Sequence, residues 1–496
     1  MTTDEGPKPA ASGDGCDSGG HTGDSRRSST KSIEDTSSLD PKQVDDCVGM
    51  VSGTSTPSLG RRLLDGVLVA RLEIFLALFM ISRFMTMTPV QDLLLHKACL
   101  YRLHLNASVC SRLDDFEDVK NAAEKMASTT NMMQIVAALA PSSVLAIFIG
   151  PWCDKYGYRA PLISSSLGLI VNFSITIVTV YYMELPLYVN ILAAIPDGLS
   201  GGLICVITAV CSEATLITRA EGRRARFFAI TATMSLSNPL GSYIGGQLYG
   251  HYGWKALLYV ALSTVVVALV WACITIKNLA KPAYAKDGLR VKLQNLFQLG
   301  NLRDSFGTVV KSRPSRGRLQ LWCLFAAVCC VLFDQASVGI AYYYVRKMYS
   351  WTVPYYTTVQ SVAAVVGVAL NIPLAHLLAR VFRIGDPAMA LIGTCCYAAQ
   401  MLLLGLAYKE WLYYVQCLVG LPSFLGQVGV RTHLSKLVAP DEVGKVFAFL
   451  SLFVSVLPIV GEVILTSLFN WSISFLPGLP YLVASCTACI AIGLIG

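Results

Sequence analysis

Apolar segments of roughly 20 residues follow one another along most of this chain, and each is long enough to cross a bilayer as a helix. The first six cover residues 68–90, 131–152, 160–182, 187–211, 227–249 and 255–276. The second six cover residues 319–345, 354–379, 386–407, 411–435, 446–468 and 475–496. They are longer and more uniformly apolar than barrel strands, and lipid offers no hydrogen-bond partner to an open backbone. We therefore predict an all-α membrane protein with about 12 transmembrane helices.

Polar segments divide these helices into two groups of six. Residues 1–66 are rich in Ser, Thr, Gly and Asp, which predicts a disordered cytoplasmic tail with no cleaved signal peptide. Residues 67–276 and 319–496 then form two six-helix bundles, joined by a cytoplasmic loop at 277–318. Transporters built from duplicated bundles commonly have this organisation, with a binding site near the middle of the membrane.

Composition and the distribution of basic residues support this topology. Only 14% of the residues are charged, against roughly a quarter in soluble domains. If the N-terminus is cytoplasmic, the inner loops are basic, as membrane insertion requires. These loops contain Lys155 and Arg159, the arginines of 219–226, the segment 277–318, Arg380 and Arg383, and Lys436 and Lys445. The net charge of +8 is therefore assigned to insertion and to anionic lipid headgroups, and no nucleic-acid partner is expected.

The longest outer loop contains two cysteines on either side of a glycosylation sequon. Cys99 and Cys110 flank Asn106-Ala107-Ser108 in a compartment where disulfides persist. We favour a local disulfide between the two cysteines, with two free thiols as the alternative. Asn106 is the predicted glycan acceptor.

Several ionisable residues lie inside the apolar segments, where each costs at least about 2.5 kcal/mol unless it has a partner or a role. Arg431 is the candidate anchor for an anionic solute, since a guanidinium stays protonated and binds carboxylates at two points. Its alternative is a structural ion pair with Glu462 or Asp334. A carboxyl group removed from water holds its proton more readily, so Asp197, Asp334 and Glu462 are candidates for proton coupling, with helix packing as the alternative for each.

Aromatic side chains offer a second kind of contact. Tyr343, in the run Tyr342–Tyr344, is a candidate for stacking on a ring-bearing solute. The alternative is an aromatic belt at the outer membrane interface.

The short connection GPWCDKYGYR, residues 150–159, resembles the signature loop of the major facilitator superfamily. Gly150, Asp154, Lys155, Gly157 and Arg159 match that motif, whereas Tyr158 stands where the family usually has an Arg. The resemblance implies that Asp154 helps to hold an inner gate closed, and Lys445 is its candidate partner. The alternative is a plain basic turn.

Three further segments resemble the family of the proton-coupled folate transporter and the thymic stromal cotransporter, in its invertebrate form. They are PVQDLLLHKACLYRLHLNASVC at 89–110, YYYVRKMYSW at 342–351 and VRTHLSKLVAPDEVGKVFAFL at 430–450. The resemblance implies proton-coupled symport of an organic anion such as a folate, a muropeptide or a cyclic dinucleotide. It also places Arg431 at a functional arginine of the family. One departure concerns Thr231, which occupies the position of a proton-coupling Glu.

Together these observations predict a secondary transporter that works by alternating access, in the plasma membrane or the lysosomal membrane. The expected partners are a small organic anion, protons and the lipid bilayer. The chain has no His-Glu-x-x-His motif and no phosphate-binding Gly-Lys loop, so no enzymatic activity, cofactor or metal is expected. Two alternatives stay open: an uncoupled facilitator, and a non-transporting receptor or adaptor on the same scaffold.

Overall fold

Every regular element among the described residues is a helix. The computed structural model describes residues 70–103, 105–110, 113–217, 223–276, 290–291, 317–381, 383–426, 429–430, 433 and 443–495. The predicted tail at 1–66 lies outside this part of the chain, as does nearly all of the predicted loop at 277–318.

The first half of the described chain contains seven helices. They are α1 (Arg71–Lys97), α2 (Ala107–Cys110), α3 (Glu117–Tyr156), α4 (Arg159–Tyr181), α5 (Tyr188–Leu199), α6 (Gly202–Ile217) and α7 (Arg223–Thr275). A π-helical turn, Ala98–Arg102, continues α1. Two glycines with positive φ interrupt the longer apolar segments: Gly201 (φ 102°) separates α5 from α6, and Gly253 (φ 74°) breaks α7 between two predicted spans.

In the described part of the second half, seven helices have defined bounds at both ends. They are α8 (Gly317–Asp334), α9 (Ala341–Tyr349), α10 (Val353–Arg380), α11 (Asp386–Gly405), α12 (Glu410–Val419), α13 (Val443–Ser472) and α14 (Leu479–Ile495). A 3₁₀ segment, Gln335–Ile340, joins α8 to α9, and a shorter one, Leu421–Ser423, follows α12.

These helices confirm the predicted membrane architecture. Within the described residues, nine helices are long and apolar enough to span a bilayer, and α14 is a shorter apolar helix. The long helix α7 holds two of the predicted spans on either side of Gly253. The remaining predicted span, 411–435, begins with α12 and continues into residues outside the described part. About twelve spans are thus accounted for.

The helices of each half pack mainly against one another. In the first half α1 lies along α7, and α5 packs against both α3 and α4; in the second half α14 packs against α8 and α11. Close approach of α1 and α7 depends on Gly245, where a Cβ atom would overlap the backbone of Met85. Between the halves, α3 contacts α13 and α7 contacts α10. A cavity lies between the two groups of helices.

Candidate solute-binding cavity

The cavity has a volume of about 300 Å³ and is lined by both halves of the protein. Helices α1, α3, α4 and α5 form one wall, which we call the first wall; the 3₁₀ segment after α8 and helix α13 form the opposite, second wall. Apolar side chains make up most of the lining. The polar lining residues include Arg83, Gln91, Asn131, Asp197, Gln335 and Glu462.

An ion pair forms part of the first wall. Arg83 Nη1 in α1 lies 2.5 Å from Asp197 Oδ2 in α5. The Asp197 side chain is 1% exposed, whereas the Arg83 side chain is 25% exposed. Asp197 Oδ1 is buried and has no hydrogen-bond partner among the described residues. Asp197 is therefore one of the predicted coupling residues that does line the cavity, and it is held by a permanent cation.

The pairing with Arg83 was not predicted from the sequence. Arg83 is a basic residue within an apolar segment, and such a residue inside the membrane signals a partner or a function. The sequence signal marks Arg83 as unusual, but it does not identify its partner.

Glu462 in α13 forms the polar centre of the second wall. It is 3% exposed, and its Oε1 accepts a hydrogen bond of 3.3 Å from Thr466 Oγ1 one turn further along α13. Its carboxyl group packs against Gly339 in the 3₁₀ segment, where a Cβ atom would overlap both carboxyl oxygens. Across the described part of the chain, no Lys, Arg or His forms an ion pair with Glu462.

Two other candidate residues lie away from the cavity. Asp334 is fully buried in the second half, where Thr487 Oγ1 of α14 donates a 2.5 Å hydrogen bond to its Oδ1. Tyr343 is also fully buried, and its hydroxyl donates a 3.3 Å hydrogen bond to the carbonyl oxygen of Gln91. Neither side chain lines the cavity, so Tyr343 lies between the halves at a position where a solute in this cavity does not reach it. Thr231 is exposed on α7 and does not line the cavity either.

The predicted inner gate is described only in part. Gly157 has φ +89°, a conformation that strongly favours glycine, and it ends α3. Arg159 Nη2 donates a 2.6 Å hydrogen bond to the carbonyl oxygen of Cys273 near the end of α7. Such a bond satisfies one of the carbonyl groups that a helix end leaves unpaired.

The structure describes few contacts of the remaining inner-gate residues. Gly150 and Lys155 lie in the last turns of α3. The side chains of Asp154 and Lys445, and the whole of Arg431, lie outside the described part of the structure. Their roles stay predictions.

On the opposite side, a cluster of hydrogen bonds joins the halves; we call Asp92, Tyr249, Tyr342 and Arg346 the outer latch. Asp92 accepts hydrogen bonds from the hydroxyls of Tyr249 at 2.7 Å and Tyr342 at 2.6 Å. Arg346 Nη1 lies 3.6 Å from Asp92 Oδ1. The latch therefore joins α1 and α7 of the first half to α9 of the second, at helix ends that the predicted topology assigns to the outside.

Further contacts join the halves beside the latch. Ser128 Oγ of α3 donates a 2.6 Å hydrogen bond to Asn470 Oδ1 of α13, and Lys347 Nζ lies 3.0 Å from Glu117 Oε1. In the same region a disulfide joins Cys99 to Cys110, whose Cα atoms are 5.9 Å apart. Asn106, the predicted glycan acceptor, is exposed between them. These contacts join the two halves on the side that the predicted topology places outside.

Two groups of apolar helices around a cavity that contains buried charged side chains are typical of membrane transporters. The sequence model of the Major Facilitator Superfamily matches residues 74–462, and the chain belongs to this family. It is a multi-pass membrane transporter, as the sequence predicts.

Individual relatives agree with this assignment. The chain is 22% identical to the "Probable peptidoglycan muropeptide transporter SLC46" of Drosophila melanogaster over 82% of this chain and 81% of the relative. It is 22% identical to the "Proton-coupled folate transporter" of Rattus norvegicus, over 68% of this chain and 71% of the relative. The fold is similar to the crystal structure of a D-xylose-proton symporter, with a TM-score of 0.60 and 13% identity over 86% of this chain and 96% of that one. These similarities confirm the family resemblance seen in the sequence.

Proposed function

We propose that the protein is a proton-coupled symporter that carries a small organic anion by alternating access. The observation that carries this proposal is the arrangement of charge in the cavity. A permanent cation, Arg83, lines the first wall, and Glu462, whose carboxyl group forms no ion pair with any described residue, lines the second.

Among the described residues that line the cavity, Arg83 provides the positive charge for an anion. A guanidinium group has five N–H donors and keeps its proton at any physiological pH, so the contact with Asp197 leaves further donors for a solute. Its partial exposure supports access from the cavity. Arg431, on the resemblance to the family, is the second anion contact.

We assign the coupling of transport to protons to Glu462. A buried carboxyl group that is not paired with a cation favours its neutral form, and it loses its proton when water or a cation reaches it. Alternating access changes the contact between Glu462 and water, because the residue lies in the cavity wall. Protonation on one side and release on the other would then move one proton with each solute.

The names of the relatives suggest the solutes to test, namely a folate and a muropeptide. The wider family resemblance adds a cyclic dinucleotide. All three carry anionic groups that suit a guanidinium contact. The membrane in which the protein acts is either the plasma membrane or the lysosomal membrane.

Uptake into proteoliposomes tests the proposal. The purified full chain is reconstituted, and labelled folate, muropeptide and cyclic dinucleotide are supplied with an acidic exterior or with no pH gradient. We expect at least one anion to accumulate, with accumulation lost when a protonophore is added and in the Arg431→Ala variant. Arg380→Ala, which removes an exposed arginine at the end of α10, is the matched control.

Two outcomes would contradict symport. Uptake that reaches equilibrium but never exceeds it, with or without the gradient, would establish an uncoupled facilitator. Binding of an anion without any uptake would establish a receptor or adaptor.

A further inference from the structure

The carbonyl oxygen of Gly339 accepts hydrogen bonds from two side-chain amides of the first half. Gln91 Nε2 of α1 donates to the Gly339 carbonyl oxygen at 3.1 Å, and Asn131 Nδ2 of α3 donates to the same oxygen at 3.2 Å. The two amide side chains are buried, at 3% and 6% exposure of their residues. This pair of hydrogen bonds joins the first half directly to the 3₁₀ segment of the second half, next to the outer contacts.

The other face of Gly339 is covered by Glu462. A Cβ atom at this position would overlap the carboxyl oxygens and the carboxyl carbon of Glu462. Only glycine therefore allows the carboxyl group to pack there while the carbonyl group of the same residue holds Gln91 and Asn131. One residue is in contact with the candidate proton carrier and with the opposite half.

We propose that Gly339 is a positioning residue that couples the charge of Glu462 to closure of the outer side. This inference rests on the proposed function, and assigns to Gly339, Gln91 and Asn131 a role in the conformational step. When Glu462 is neutral, Gln91 and Asn131 keep their hydrogen bonds to the Gly339 carbonyl oxygen, and the two halves stay together on the outer side.

The physical reason is competition between two acceptors. An ionised carboxylate accepts hydrogen bonds more strongly than a neutral carbonyl group. Gln91, Asn131 and Glu462 line the same cavity, so a charged Glu462 competes with Gly339 for the same amide donors. Loss of the proton thus weakens the bonds that hold the halves together at this point.

The other charged and titratable groups around Glu462 fit this assignment. Tyr343 follows the 3₁₀ segment that packs against α13, and Tyr481 lies in α14, which also packs against α13; both tyrosines are buried. A tyrosine is uncharged at neutral pH, where a carboxyl group can still ionise. From α3 the polar side chains that line the cavity are the neutral Asn131 and Gln134, and the ion pair in the described lining is Arg83 with Asp197 on the first wall.

A double-mutant cycle on the full chain tests the coupling. Ser128 and Asn470, hydrogen-bonded across the outer contact, are replaced by cysteines, and the rate of their disulfide formation reports closure. Gly339→Ala should slow this reaction about tenfold, because the methyl group displaces the Glu462 carboxyl group and disturbs two hydrogen bonds. In a Glu462→Ala background, where the space is free, the same Gly339→Ala change should alter the rate less than about twofold.

Two controls keep the result interpretable. Gly493→Ala adds a methyl group where no atom lies within 4 Å, and it should leave the cross-linking rate unchanged. Glu462→Gln, a neutral analogue that fills the same space, should cross-link at least as fast as the parent. Folding of each variant is followed by size-exclusion elution and by Tm in detergent.

The proposal is overturned if Gly339→Ala cross-links at the parental rate, or if its effect is equally large with and without the Glu462 carboxyl group. Cross-linking needs neither solute nor a pH gradient. A negative cross-linking result would therefore overturn the role of Gly339 without contradicting symport. A negative transport result would contradict symport without changing the measured cross-linking rates.

Discussion

The two walls of the cavity each contain a buried carboxyl group, but they treat it differently. On the first wall Asp197 lies against the Arg83 guanidinium. On the second wall the hydrogen-bond donor described for Glu462 is the hydroxyl group of Thr466. A buried carboxyl group beside a hydroxyl can exchange a proton as its surroundings change. The proposed function uses this difference, with anion binding at the first wall and proton exchange at the second.

Breaking the ion pair on the first wall should have the largest effect. Arg83→Met leaves Asp197 charged, buried and without its cation, and removal of one partner from a buried pair costs about 3–5 kcal/mol. We expect a large loss of folded protein, measured by size-exclusion yield and by Tm, together with loss of uptake. The double variant Arg83→Met/Asp197→Asn removes the isolated charge and should recover folded protein without recovering uptake. Wild-type stability of the single variant would show that the pair is not important for the fold.

Neutralising the second wall should leave the fold intact and change the pH response. Glu462→Gln keeps the size of the side chain but cannot bind a proton. In the wild type we expect uptake to fall as the external pH rises, because fewer molecules carry the coupling proton; in the variant the ratio of uptake at acidic and neutral pH should approach 1. Asp118→Asn, at an exposed position in α3, is the matched control and should retain the wild-type ratio. An unchanged pH response in Glu462→Gln would assign the proton to another group.

Weakening the outer latch should make the two halves separate more often on the outer side, with a smaller effect on the free energy of unfolding. Asp92→Asn removes the charge that accepts two tyrosine hydroxyls, and hydrogen bonds to charged groups contribute about 1.5–3 kcal/mol. We expect at least about tenfold faster labelling, by an impermeant maleimide added outside, of a cysteine placed at the cavity residue Val338. The exposed substitution Asp115→Asn should leave the labelling rate unchanged. Equal labelling in both variants would mean that the latch does not close the cavity.

The smallest effect is expected from Tyr343→Phe. The change removes one hydroxyl whose hydrogen bond to the Gln91 carbonyl oxygen is 3.3 Å long, and such a bond contributes about 1 kcal/mol. We expect uptake to fall by less than about fivefold, with equal KM for the anion in the wild type and the variant. A rise in KM at constant kcat would instead show that Tyr343 contacts the solute in another conformation of the cycle.

The amino-acid sequence by itself determined the class of protein and its topology. Apolar segments of about 20 residues must be helices in lipid, because their backbone groups have no other hydrogen-bond partners. The same requirement makes their number and order readable without a structure. The turn at 150–159 and the segment at 430–450 were sufficient to indicate the family, since glycines and charges at fixed spacing are rare in such a chain.

Only the tertiary structure decided which buried charges share the cavity. Arg83 and Asp197 are separated by 114 positions, and Asp334 and Glu462 looked equivalent as isolated acids, although only Glu462 lines the cavity. In a soluble protein the polar face of a helix marks the solvent side, but in a membrane protein both lipid and core are apolar, so the sequence pattern does not show which face turns inward. Helix rotation and packing, including the close approach of Glu462 to Gly339, therefore determine the site.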